Sequence, residues 1–221
     1  MRGVREYRED LADGVSVRGY LHSPEGGPSD GLVLTHGAGA NCNAPLLVAL
    51  AEGLCASGLT VLRCDLPFRQ VRPGGPPPRG SAERDQQGLR AAVEAVRRQL
   101  PGRVFLGGHS YGGRQASMLA AAEPGLVPAL LLLLSYPLHP PERPDQMRTA
   151  HFPELRTPAL FVSGVRDGFA TREEMEAALR LIPARTELVS VAGAGHELMT
   201  KKNRDAVVGL IIEAFRSFAM S

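Results

Sequence analysis

Tryptophan is missing from the 221 residues, and cysteine occurs only three times. Cys42, Cys55 and Cys64 form neither a C-x-x-C pair nor an even set. That speaks against a disulfide framework or a zinc site and fits a reducing cytoplasm. Long apolar runs are lacking as well. The most apolar stretch, residues 129–134, is far too short to span a bilayer. Three of the first six residues, Arg2, Arg5 and Glu6, are charged and no apolar segment follows them, so no secretory signal is expected. Basic residues exceed acidic ones by only two, which gives no reason to expect nucleic acid or a membrane surface as partner.

The remaining composition, 43% hydrophobic and 22% charged, is that of an ordinary globular protein, and the length suits a single domain over residues 1–221. Residues 4–8 and 15–22 read as an antiparallel hairpin around the turn signal Asp13-Gly14. From there short apolar runs alternate with helical patterns. Strands are expected at 31–35, 60–64, 104–106, 129–134, 159–162 and 187–191. Helices are expected at 44–56, 84–100, 111–122, 172–181 and 205–218. This alternation implies an α/β fold, a mostly parallel twisted sheet with helices on both faces. Two stretches stand apart. Residues 67–80, rich in Pro, Gly and Arg, read as an irregular loop, and the proline-rich crossover 137–158 as a meander with little helix.

Between the strand at 104–106 and the helix at 111–122 lies Gly108-His109-Ser110-Tyr111-Gly112, a G-x-S-x-G pattern. In that setting the serine sits on a tight strand-to-helix turn, with its hydroxyl pushed out over the carboxyl end of the sheet at a helix N-terminus. Glycines are needed where side chains would strike neighbouring backbone. An idle serine on a glycine-rich turn is the other reading. As a nucleophile, Ser110 needs a base, and around such an elbow the partners follow in the order Ser, acid, His. Three histidines lie downstream: His139, His151 and His196. Only His196 follows the last strand, in a glycine-rich loop able to bend the imidazole back over the sheet. His139 and His151, in the proline-rich crossover, read as surface loop residues.

Asp167, on the turn after the strand at 159–162, is the candidate to orient His196. Its other reading is an ordinary Asp-Gly turn, and Asp145 is the second choice of acid. An oxyanion needs two backbone donors. Tyr111 supplies one by position, and the loop Thr35-His36-Gly37-Ala38-Gly39-Ala40 supplies the other, with Ala38 preferred and Gly39 next. His36 reads as a hydrogen-bonding residue that holds this loop, and Cys42 as packing. Arg69, Arg72 and Arg79 on the 67–80 loop are either solvated or contacts for an acidic substrate.

THGAGA, GGHSYGG, SGVRDGF and GAGHE, in that order and on those elements, resemble the α/β-hydrolase superfamily along nearly the whole chain. The first two are especially similar to a compact predicted-hydrolase branch that includes the testis-expressed hydrolase-like proteins of mammals. Dienelactone hydrolases are neighbours of similar size that commonly carry cysteine where this chain has Ser110. The resemblance implies a Ser-His-Asp triad independent of metal or cofactor, an acyl-enzyme intermediate and a small acyl substrate. It does not imply which substrate. Lids in larger relatives occupy the crossover that is 137–158 here, and about twenty proline-rich residues cannot build a cap domain, so an open site is expected. The reading from a different class is a hydrolase fold used as a binding module with little turnover.

Overall fold

The computed structural model describes residues 3–11, 14–27, 30–126 and 129–220. One eight-stranded sheet runs through it in the order β1-β2-β4-β3-β5-β6-β7-β8. The hairpin of β1 (Gly3–Asp10) and β2 (Ser16–Ser23) pairs from Gly3 with Ser23 to Asp10 with Ser16. Gly14 sits in its turn at φ 75°, a backbone state that glycine adopts freely; Asp13 lies outside the described residues. β2 joins β4 (Thr60–Cys64) antiparallel. All remaining pairs are parallel, through β3 (Gly31–Thr35), β5 (Val104–His109), β6 (Leu131–Leu134), β7 (Ala159–Gly164) and β8 (Thr186–Val191).

The central strands are apolar on both sides because helices cover both sides. Val33, Leu62, Leu106, Leu133 and Phe161 share one core cluster with Leu89, Ala92, Val93 and Val96 of α3 (Ala82–Arg97) and with Ala116 and Leu119 of α4 (Tyr111–Ala122). Their chain neighbours Leu32, Leu34, Val61, Phe105, Leu132 and Leu160 point the opposite way. They meet Leu47, Leu50 and Leu54 of α1 (Pro45–Ala56) and Ile211, Phe215 and Phe218 of α6 (Arg204–Met220). This period of two, fully buried on both faces, is what a covered parallel sheet requires. α5 (Arg172–Leu179) begins with a capping box between Thr171 and Glu174.

Two segments decide what surrounds the sheet's carboxyl edge. Residues 67–80 are not wholly irregular, because Pro67–Val71 forms a short helix, α2. Pro67 occupies its first turn, where a missing N–H leaves no intrahelical bond unmade. The prolines and glycines that follow mask, in the sequence, a helix that this one well-placed proline starts. Residues 137–158 contain only the single turn Phe152–Glu154, so no cap domain stands over the sheet. Among the described residues, no helix is long and apolar enough to cross a membrane.

Candidate active site

β5 delivers Ser110 to the first turn of α4, and the bend between them is tight. A Cβ on Gly108 would lie 2.6 Å from the Gly112 carbonyl carbon and the Gly113 nitrogen. One on Gly112 would lie 2.5 Å from the His36 carbonyl oxygen. Ser110 itself is held at φ 51°, a costly state for a residue with a side chain. Its own N–H is spent on Leu134 O at 2.8 Å. Tyr111 opens the helix, so its N–H is one that the helix leaves without an intrahelical acceptor.

The Ser110 Oγ lies 2.8 Å from His196 Nε2. On the other side of the ring, Nδ1 lies 2.9 and 3.0 Å from the two carboxylate oxygens of Asp167. Asp167 also accepts the Phe169 N–H at 2.9 Å, and its side chain is fully shielded from solvent. Sheet pairing continues into these loops, with Val165 N–H donating to Val191 O and Arg166 N–H to Ala194 O at 2.9 Å. Asp145, the second choice of acid, is exposed in the crossover. The Phe169 ring lies against His196 with centroids 4.2 Å apart. His109 Nε2 holds the His196 carbonyl at 2.9 Å, and burial lowers the pKa of His109. A neutral His109 therefore donates this N–H.

The loop after β3 is fixed by three contacts. His36 Nε2 accepts the Leu66 N–H at 3.1 Å, so Nδ1 carries the proton and donates to Gly37 O at 2.8 Å. Ala40 N–H donates to the same oxygen at 3.1 Å. Since the carbonyl and N–H of one trans peptide point in opposite directions, these bonds also set the direction of the Ala38 N–H. Burial lowers the pKa of His36, in keeping with a neutral ring.

Arg69 is the third contact, and here the sequence reading needs correction. It is neither solvated nor turned to a substrate but buried, at 5% exposure. Its guanidinium donates to Ala40 O and Ala38 O, both at 2.7 Å, and to Arg72 O and Gly75 O, both at 2.9 Å. Arg72 is exposed and lines neither cleft described below. His139 is buried, with its ring bound to Pro140 O and Glu174, and His151 is half-buried against Ser117 Oγ at 2.8 Å. Neither is the surface loop residue that the crossover's prolines suggested. Cys42 is buried and its thiol is pushed up to about 12, mainly by desolvation.

Ser110 stands on a ridge between two clefts. One, of about 590 Å³, is lined by Ala38, residues 77–82, Tyr111, Arg114, Gln115, Pro137 and Arg148. The other, of about 410 Å³, is lined by residues 37–40, His109, His196 and Glu197. Ala38, Ser110 and Phe169 border both. Gly39 therefore faces the second cleft only. Sequence reasoning missed Phe169, His109, Arg114 and Arg148. The spacing Ser110 to Arg114, one helical turn, was the signal available for one of them. Among the described residues, no group of three His, Cys, Asp or Glu side chains could hold a metal ion.

Comparison with known proteins bears on the fold. A dienelactone hydrolase from Anabaena variabilis matches with a TM-score of 0.74 at 23% identity, over 97% of this chain and 98% of its own. Est1E from Butyrivibrio proteoclasticus matches with a TM-score of 0.78 at 18% identity, over 98% and 99%. XC6422 from Xanthomonas campestris, described as an α/β serine hydrolase without a lid, matches with a TM-score of 0.71 at 18% identity, over 97% and 94%. At such identities the likeness is one of architecture. A family model described as an α/β-hydrolase domain matches residues 28–217, most of the sequence. The chain accordingly belongs to the α/β-hydrolase family.

Proposed function

We propose that the protein is a serine hydrolase that cleaves a small carboxylic ester or thioester through an acyl-enzyme. The observation that carries this reading is the unbroken hydrogen-bond chain from Ser110 Oγ through His196 to Asp167. An ionised Asp167 can only accept, so the imidazole proton sits on Nδ1 and the Nε2 lone pair faces the Ser110 hydroxyl. Ser110 Oγ then attacks the carbonyl carbon as His196 takes its proton, and Asp167 stabilises the imidazolium. The oxyanion lies toward the N–H groups of Ala38 and Tyr111. His196 returns the proton to the leaving oxygen or sulfur, and a water molecule repeats the sequence on the acyl-enzyme.

The likeness in fold to XC6422, which is described as an α/β serine hydrolase without a lid, supports this reading. The buried thiols of Cys42 and Cys64, which form no disulfide, support a reducing compartment such as the cytoplasm. Fluorophosphonate labelling tests the proposal: native protein labels, and Ser110→Ala does not. A folded native protein that stays unlabelled would instead support a binding module.

A further inference from the structure

The two clefts beside Ser110 differ in charge, and the difference is directional. The larger one is bordered by Arg79, Arg114 and Arg148, with no Asp or Glu among its lining residues. The smaller one carries Glu197 and no Arg or Lys. If His196 returns a proton to the leaving atom, that atom must lie on the His196 side, in the smaller cleft. The acyl portion then occupies the larger cleft, against the arginines. This step rests on the serine-hydrolase reading above.

The arginines there have charge to spare. Among the described residues, none of the three forms a salt bridge. The buried Nε of Arg114 has no hydrogen-bond partner. Arg148 spends one N–H on Pro137 O at 3.3 Å, while its backbone is pinned by Leu138 O and the Tyr136 hydroxyl. Its pKa is lowered by burial and by the positive charge of Arg114. Two partly desolvated guanidinium groups that repel each other are a cost to the folded protein that an anion between them would relieve. A second, independent feature borders the same cleft. Gln115 is wholly buried, its Oε1 accepts from Gln86 at 3.0 Å, and its Nε2 donor has no partner.

We infer that the larger cleft is a subsite for an anionic acyl tail, so that the preferred substrates are monoesters or monothioesters of dicarboxylic acids. Arg114 sits one helical turn after Ser110, on the face that looks into the cleft. Arg148 reaches it from the crossover. Their planar donor forks suit the two oxygens of a carboxylate. The subsite adds no chemical step; it selects which acyl group reaches Ser110 and leaves Glu197 to disfavour an anionic leaving group.

The test compares mono-(4-nitrophenyl) esters of succinic, glutaric, adipic and suberic acids with 4-nitrophenyl esters of monocarboxylic acids of the same chain length. For the best length, kcat/KM for the acidic ester is expected to exceed that of its neutral partner about tenfold. Arg114→Gln and Arg148→Gln should each cut that ratio about tenfold, and Arg→Lys should restore part of it. Arg156→Gln, exposed on the same crossover outside the cleft, should leave the ratio where it was. A native ratio near or below one at every length overturns the subsite, and so does a ratio indifferent to both Gln variants. The native ratio alone decides if the variants fail to fold. Turnover of the neutral esters keeps the two readings apart. If neither ester class is cleaved, the hydrolase reading falls and the subsite falls with it.

Discussion

Gly164, the last residue of β7, and Gly195, the residue before His196, touch through bare backbone. A Cβ on Gly164 would lie 2.4 Å from the Gly195 carbonyl oxygen and 2.5 Å from that of Ala194. The turn bearing Asp167 and the loop bearing His196 can lie side by side only because nothing projects between them.

Gly164→Ala is therefore predicted to push these two loops apart. The obstructing atoms are backbone and cannot swing away, so stability should fall by about 1–3 kcal/mol. Fluorophosphonate labelling should slow about a hundredfold, because a small displacement at the base costs this much. Denaturant titration and labelling rates measure both, and an unchanged labelling rate would refute the linkage.

Arg69 is predicted to act on the loop after β3 and not on substrate. Arg69→Gln leaves several carbonyls that it now holds without a donor, including those of Ala38 and Ala40. A loss of about 2–4 kcal/mol is expected. Acidic and neutral esters should lose kcat/KM by the same factor. A larger loss for acidic esters would mean that Arg69 meets the substrate after all. Arg72→Gln, at an exposed site, should change neither quantity.

Ser110 stands where a side chain is costly, at φ 51°. Ser110→Ala and Ser110→Gly both remove the hydroxyl, so the difference between them isolates the backbone. The glycine variant should be more stable by about 1 kcal/mol. Equal melting temperatures would mean that the elbow carries no such strain.

Acid should destabilise the fold through buried neutral histidines. His22 accepts the Arg63 Nε–H at 2.8 Å, and its pKa is lowered to about 4, first by burial and then by the Arg63 charge. The unfolded chain takes up this proton near the ordinary histidine value of 6.5. Because the folded value is the lower one, the contribution is complete above pH 6.5, shrinks as pH falls, and is gone below about 4. Its ceiling is on the order of 3 kcal/mol. His22→Gln, which keeps an acceptor for Arg63, should flatten the stability profile between pH 6.5 and 4. An unaltered slope would argue against His22 as a source.

The sheet was legible because its cause is local. Runs such as Leu131 to Leu134 and Ala159 to Val162 are apolar at every position, as strands covered on both faces must be. The positions of Ser110, Asp167 and His196 were legible because each follows a strand on a glycine-bearing turn, and the fold brings the three side chains together. Arg69 was not legible. Its role depends on carbonyls about thirty residues earlier in the chain, and no pattern around Pro67 signals them. His151 escaped for the same reason, since its partner Ser117 comes from α4 and is 34 residues away. Elements that follow from local periodicity can be read from a string; side chains that close long loops in space cannot.

The ridge at Ser110 separates two kinds of chain. Ser110, Asp167 and His196 hang from strand ends and a helix start locked into the sheet. Much of the larger cleft's wall comes from residues 77–80 and from the 137–158 crossover, which contain almost no regular structure. Residues 77–80 are largely exposed and can change in length and composition without unmaking core contacts, whereas the crossover is anchored in the core through Leu138, Phe152 and Leu155. Under the proposed function, substrate preference is thus open to revision at residues 77–80, one surface cassette, while the sheet-borne groups beneath it are left alone.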